Sequence, residues 1–204
     1  LGSGDVTLVA AWVQRPNVIA AVKKINLSGC PLTGAVLEYG QWKNIDSDMT
    51  GFIALCGVLG KLHDINLSGC HLGPASAAEF AKAVSDADAA IASISLSGNK
   101  ITGTKYDNGM KYDVDLSGII AFGKVAAVSK SLTSIDLSNC GIAAKGIAEV
   151  TKFINADAAL VKIDLSHNKV CSVPNENYDS DDSDDEQDIE DLSGWRSLCE
   201  SLQG

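Results

Sequence analysis

The densest chemistry in this 204-residue chain is a run of carboxylates. Ten Asp and Glu side chains stand between Glu176 and Asp191, with no Lys or Arg among them. Asp179, Asp181, Ser183, Asp185 and Glu190 have the spacing of the oxygen ligands in an EF-hand calcium loop. Asp184, however, stands where that loop needs a glycine, and Glu186 where it needs an apolar residue. Like charges this dense repel and bury little, so 175–191 is expected to be a mobile, solvated acidic loop. Divalent-cation (calcium) binding is its alternative reading, and phosphorylation of its serines would deepen the charge.

The other reactive side chains do not assemble into a catalytic set. The histidines are His63, His71 and His167, two in turns after different expected strands and one just before an expected strand. Nucleophilic catalysis needs a nucleophile, a base and an orienting group in reach of one another, and no phosphate-binding glycine loop is present. The chain is therefore read as a non-enzyme with no catalytic residues, no metal and no cofactor. Cys30, Cys56, Cys70, Cys140, Cys171 and Cys199 include no CxxC pair, which argues against a zinc site. Three of them fall at one repeated position where a small buried thiol fits. Free cysteines point to an intracellular, cytoplasmic setting. No signal peptide and no membrane-spanning run are apparent.

Charge narrows the partners. The net charge is −10, from 26 acidic and 16 basic residues. The acidic run accounts for the whole excess, because the 16 carboxylates outside it balance the 16 Lys and Arg. No basic footprint for nucleic acid or an anionic membrane remains. Aromatic residues are only 5% of the chain, yet Tyr39, Trp42, Tyr106, Tyr112 and Tyr178 all fall in three related segments. Tyr and Trp anchor protein interfaces, so these five are the candidate partner-binding residues. Rings that merely pin the loops to the body are the competing explanation.

The elements that must position these residues follow from a repeat. Val22–Leu32, Leu62–Leu72, Ile91–Ile101, Leu132–Ile142 and Leu160–Val170 all read L-x-x-L-x-L-x-x-N/C-x-L with aliphatic substitutions. Apolar and polar residues alternate through each, the period of a short half-buried strand. Strands are expected near 25–27, 65–67, 94–96, 135–137 and 163–165. The Asn or Cys that follows can bond to turn backbone otherwise buried without a partner. Amphipathic helices are expected between them, over Thr50–Gly60, Pro74–Ala87, Ser117–Lys130, Ala143–Ala156 and Ser193–Leu202, with Thr7–Val22 opening the chain. Parallel strands need such crossovers.

A longer period overlies the short one. Leu27, Leu67, Leu96, Leu137 and Leu165 are separated by 40, 29, 41 and 28 residues. Long repeats thus carry insertions over 33–49, 102–116 and 171–192. Each ends in a related signature, Asp48-MTG, Asp115-LSG or Asp191-LSG, and Asp5-VTL looks like a remnant of a fourth. An Asp before Ser or Thr at an apolar helix is a capping signal. Recurring in alternate repeats, the insertions should line up on one edge.

The repeat resembles the ribonuclease-inhibitor-like class of leucine-rich repeats, over nearly the whole chain. The resemblance implies one α/β solenoid spanning 1–204, with a parallel sheet on its concave face and helices on its convex face. Relatives of that class include ribonuclease inhibitors, NOD-like-receptor repeats and the GTPase activator of Ran. Its scaffold serves many partners, so the expected function is a non-catalytic protein–protein interaction module or scaffold. GTPase activation is a further alternative, weakened because Arg15 and Arg196 are the only arginines and the activator's N-terminal functional segment finds no match. The concave face should present rows of Ser, Asn and Asp without aromatics, and ranks below the insertion edge. Solenoid ends need polar caps. Leu8, Val9, Ala11, Trp12 and Val13 make the first helix apolar, so self-association through uncapped ends is expected unless further repeats cover them.

Overall fold

The computed structural model describes residues 2–85, 91–106, 109–127, 129–156, 159–170, 196 and 199. The chain opens with two helices, α1 (Ser3–Val13) and α2 (Pro16–Ala21), and then strand β1 (Lys24–Asn26). A hairpin of β2 (Val36–Glu38) and β3 (Gln41–Lys43) leads to α3 (Thr50–Leu59). Strand β4 (Asp64–Asn66) and α4 (Pro74–Ser85) make a short repeat, and β5 (Ser93–Ser95) begins the second long one. That repeat holds a second hairpin, β6 (Lys105–Tyr106) with β7 (Met110–Lys111), before α5 (Ser117–Ala126). Strand β8 (Ser134–Asp136), α6 (Ala144–Ala156) and β9 (Lys162–Asp164) complete the described elements. The opening helical region differs from the expectation. Pro16 has no N–H and starts a new helix, so a break at Gln14–Arg15 divides it.

The five motif strands form one parallel sheet in the order β1-β4-β5-β8-β9. Its register aligns Lys24, Asp64, Ser93, Ser134 and Lys162 in one row, and Asn26, Asn66, Ser95, Asp136 and Asp164 in another. Between them runs Ile25, Ile65, Ile94, Ile135 and Ile163, pointing into the core. After each strand the chain turns through a left-handed residue, filled by Gly29, Gly69, Gly98, Asn139 and His167. The next position is the Cys or Asn of the motif. Asn99 is 1% exposed; its Nδ2 donates to the carbonyls of Leu67 (2.8 Å) and Leu96 (2.7 Å), and its Oδ1 accepts the Leu72 N–H (3.0 Å). Asn168 repeats this with Leu137, Leu165, Cys140 and Ile142. Where Cys stands instead, the thiol donates back one repeat: Cys70 to the Leu27 carbonyl (3.0 Å) and Cys140 to that of Leu96 (3.2 Å).

Helices cover the other side of the core. Phe52, Phe80, Phe122 and Phe153, one on each of α3 to α6, are all buried. They are the only phenylalanines in the chain. Phe122 lies between Phe80 and Phe153 with ring centroids 6.4 and 6.5 Å away, within the range of favourable ring pairs. The glycine of the D-x-S/T-G signature sets helix spacing. A Cβ on Gly118 would lie 2.8 Å from the Ile101 carbonyl and 2.9 Å from that of Pro74, and one on Gly51 would collide with the Ser3 carbonyl. These glycines let α5 approach α4, and α3 approach α1, at backbone distance.

All five described cysteines are free: Cys30, Cys56, Cys70, Cys140 and Cys199. Burial pushes the Cys70 and Cys140 thiols up to about 12, and raises that of Cys56 as well. Reactive thiols are exposed thiolates. Iodoacetamide at pH 8 is therefore expected to label half-buried Cys30 in the native protein while Cys56, Cys70 and Cys140 react only after unfolding. Peptide mapping would read this out; Cys70 reacting as fast as Cys30 would contradict the packing described.

Candidate protein-binding edge

The two hairpins are what the long repeats add, and they carry most of the described candidate residues. Expected as loops, the insertions over 33–49 and 102–116 contain strands paired Val36 to Lys43 and Lys105 to Lys111. In the first, Glu38 pairs with Gln41 across a two-residue turn, Tyr39-Gly40. Both turn residues have positive φ, 51° and 76°. That is the mirror-image type I turn, whose twist matches a hairpin and which ordinarily takes Asn-Gly. In the second insertion the sequence does supply Asn108-Gly109. These dipeptides were the available sequence signal for hairpins.

The aromatic residues divide into two roles. Tyr39 at the hairpin tip is 100% exposed, and Tyr106 is 66% exposed. Trp42 is half-buried and stacks on His71, with ring centroids 3.5 Å apart and planes at 21°. Through this stack the first hairpin is pinned to the turn after β4. Burial lowers the pKa of His71, as does nearby Lys100 to a lesser extent, which favours the neutral ring against the indole. Tyr112 is half-buried beside the second hairpin. Tyr178 and the acidic segment 175–191 lie outside the described residues, as does the helix expected over Ser193–Leu202 except at Arg196 and Cys199. Sequence reasoning missed the aliphatic part of the edge: Val36, Leu37, Met110 and Val114 are exposed, Leu37 at 58%. Strand alternation was invisible there while the segments were read as loops.

Carboxylates in the insertions fix the edge to the body. Asp48 accepts the Thr50 N–H (3.1 Å) and Asp115 the Ser117 N–H (2.9 Å), each at the start of its own helix. The Ser3 hydroxyl and the Thr50 amide and hydroxyl hold the Asp48 carboxyl below its ordinary range. Two further carboxylates act across repeats. Asp46 accepts the N–H groups of Gly73, Ala75 and Ser76 (3.1, 3.0 and 3.1 Å), and Asp113 those of Ala143 and Gly146 (3.1 and 2.7 Å). These are amides of the first turns of α4 and α6 and of the residues just before them, Gly73 and Ala143. Neither Gly73 nor Ala143 has a capping side chain, so the previous insertion supplies one. Room for it is also built in: a Cβ on Gly73 would lie 2.5 Å from Asp46 Oδ2, and on Gly146 2.8 Å from Asp113 Oδ1.

The concave face spends its polar groups internally. Asn26, Asn66, Asp136 and Asp164 each accept the N–H of the serine two residues on, all at 3.0 Å. Ser68 and Ser95 hydroxyls meet at 2.7 Å, and Ser95 donates to Asp136, which also accepts from Ser138. Lys24 pairs with Asp64, and with His63 it holds that carboxyl below its ordinary value. Groups already satisfied by neighbours offer a partner little. The three histidines stand apart: His63 on Asp64, His71 on Trp42, His167 in the turn after β9. Among the described residues no group of three or more His, Cys, Asp or Glu could hold a metal ion. Nor, among them, is any helix long and apolar enough to cross a membrane.

A parallel strand row, an Asn/Cys ladder behind it and a helix row outside define a leucine-rich-repeat solenoid. Comparison with known proteins agrees. Residues 128–150, spanning β8 and the start of α6, match a family model described as a leucine-rich repeat. The chain is similar in fold to the solved structure of leiomodin-1 actin-binding site 2, at 14% identity, with 98% of this chain and 86% of that one covered and a TM-score of 0.54. No curated protein matches the chain.

Proposed function

We propose that this solenoid is a non-catalytic protein-interaction module of the ribonuclease-inhibitor-like class, and that the hairpin edge is its contact surface. The observation carrying this is Tyr39. A tyrosine at positive φ is strained by roughly 1–3 kcal/mol, at a turn position where asparagine would sit more easily. Its ring is fully exposed, with only the Lys43 ammonium 5.8 Å from its centroid. A strained and solvated ring contributes little to folding, which favours a role in contact. Leu37, Tyr106 and Met110 add apolar surface, and the Trp42–His71 stack holds the first hairpin in place. The fold likeness to an actin-binding segment is consistent with protein partners and does not by itself bring actin to this chain.

Tyr39→Asn separates the two roles. It is expected to raise Tm by a few degrees, through about 0.5–1 kcal/mol of relieved strain, while weakening capture of the partner. Thermal melts paired with affinity capture from source-cell extract would read both, with binding tested again on the purified partner. A destabilised Tyr39→Asn, or one that binds as well as the parent, would remove the support Tyr39 gives to this reading.

A further inference from the structure

The two long-plus-short repeat pairs differ on the convex face, in the interior of the solenoid and away from the hairpins. Asp46 caps Gly73 and Ser76 as Asp113 caps Ala143 and Gly146. Residues 77–84 of α4 therefore correspond to 147–154 of α6. Gly51 and Gly118 of the shared signature align α3 with α5 in the same way. In this frame Ala83 stands where α6 has Phe153, and Cys56 where α5 has Gly123. Between α5 and α6 the Phe153 ring rests on bare backbone: a Cβ on Gly123 would lie 2.7 Å from Phe153 Cδ1, and Phe153 is 2% exposed. Between α3 and α4 the alanine supplies no ring. A groove of about 340 Å³ lies there instead, with Cys56, Gly57, Gly60 and Ala83 along it.

Two residues of α3 keep the groove open without serving the fold. Gly51, Gly118, Gly123 and Gly146 each stand where a Cβ would collide with a neighbour, whereas a Cβ on Gly57 would meet nothing within 4 Å. Glycine in a helix interior is unfavourable, and packing does not require it at Gly57, whose counterpart in α5 is Lys124. Cys56 is 2% exposed and lines the groove. The Cys70 and Cys140 thiols donate to leucine carbonyls at 3.0 and 3.2 Å; the Cys56 thiol makes no hydrogen bond among the described residues. Burial, and Glu79 after it, raise its pKa, so it stays a neutral thiol. The rim is polar. Lys61 and Lys82 stand on it, both exposed, against the single carboxylate of Glu79. In α6 the counterparts of Glu79 and Lys82 pair with each other, Glu149 with Lys152 at 2.6 Å.

We propose that the α3–α4 groove seats an aromatic side chain of a partner polypeptide, flanked in the partner's sequence by carboxylates. The ring takes the part that Phe153 plays one repeat pair further on. It lies against Ile53, Gly57 and Ala83, with the Cys56 sulfur beside it, a contact that aromatic rings favour. The flanking carboxylates meet Lys61 and Lys82. The groove is open along its rim, where Ile53 is 49% exposed, so it suits a ring held by its own backbone; a free ligand is held by burying most of its surface. Aromatic anchors seated in pockets of this kind carry much of the binding energy of protein interfaces. This site is separate from the hairpin edge, and neither reading depends on the other.

The test titrates the full, isotope-labelled chain with the synthetic peptide acetyl-Glu-Glu-Phe-Glu-Glu-amide and follows backbone amides by NMR. Expected are saturable shifts at Gly57, Gly60 and Lys61, with several-fold weaker binding when alanine replaces the peptide's phenylalanine. Gly57→Leu puts an aliphatic side chain into the groove and a better helix former into α3. It should raise Tm and abolish the shifts at Gly60 and Lys61. No shifts at millimolar peptide would overturn the proposal, as would equal binding of the alanine peptide, which would be charge alone. Undiminished binding by Gly57→Leu would place the peptide elsewhere, and a fall in its Tm would mean that packing accounts for the glycine; either result counts against the site. Hydrocinnamate binding as tightly as the peptide would overturn it too, because the groove would then serve a free aryl acid.

Discussion

Asn99→Ala is expected to destabilise the protein by roughly 3–5 kcal/mol, as two or three buried backbone groups lose their partner at about 1–3 kcal/mol each. The groups are the carbonyls of Leu67 and Leu96 and the N–H of Leu72, all bonded to one side chain that is 1% exposed. Asn99→Cys should be milder, at about 1–2 kcal/mol. A thiol at this position can reach back one repeat, as Cys70 does to Leu27, but it supplies no equal acceptor for the Leu72 amide. Urea unfolding of the three proteins would rank them. If the cysteine variant is no more stable than the alanine variant, the site depends on the amide as a whole rather than on its donor. The same ladder explains why the motif admits only Asn or Cys there: the space is small and the carbonyl behind it needs a donor.

That ladder was legible in the sequence, because it depends on local periodicity. Alternation around Ile25 and Leu27 places one face of each strand, and the recurrence of the motif sets the register that pairs Lys24 with Asp64 and Asp136 with Asp164. The 69- to 70-residue superperiod likewise located the two insertions that the structure describes. Contacts between segments 27 to 30 residues apart were not legible. Nothing in the local sequence of Asp46 says that it caps α4, since the amides it serves belong to the next repeat. The clue was negative: Gly73 and Ala143 precede helices without a side chain able to cap them. The tyrosines and Trp42 were found as a group for their rarity, but composition could not divide an exposed Tyr39 from a Trp42 stacked on His71. Phenylalanine shows the same limit from the other side. Its four copies line the core, one on each of α3 to α6, a division from tyrosine that only the helix faces explain.

The insertions therefore do two things at once. Each of the two described insertions presents a hairpin to solvent and sends a carboxylate inward to the helix of the following repeat. Presentation of the candidate edge is thereby tied to the stability of the solenoid, through residues that touch no partner. Deleting an insertion would remove a helix cap along with a surface, so loss of binding after deletion would not locate the contact. Single side-chain changes on the hairpins are the cleaner probe.

Asp46→Ala tests that coupling most directly. It frees the Ala75 and Ser76 amides at the start of α4 and leaves the Gly73 amide to the Ser76 hydroxyl, and the expected cost is about 2–4 kcal/mol for a lost charged cap. Asp46→Asn should cost less, because one amide oxygen can still accept from the first turn. The same substitution should loosen the first insertion, leaving Trp42 on His71 as its main remaining tie. Limited trypsinolysis would then cut at Lys43 faster in Asp46→Ala, while cleavage at Lys105 and Lys111 stays at the parent rate. Asp113→Ala should invert the pattern, exposing Lys111 and sparing Lys43, since its carboxylate serves α6 through Ala143 and Gly146. A fall in stability with no change at Lys43 would mean that the carboxylate caps the helix without holding the hairpin. The Trp42–His71 stack would then be the tether, and Trp42→Ala, not Asp46→Ala, would be the change that releases the edge.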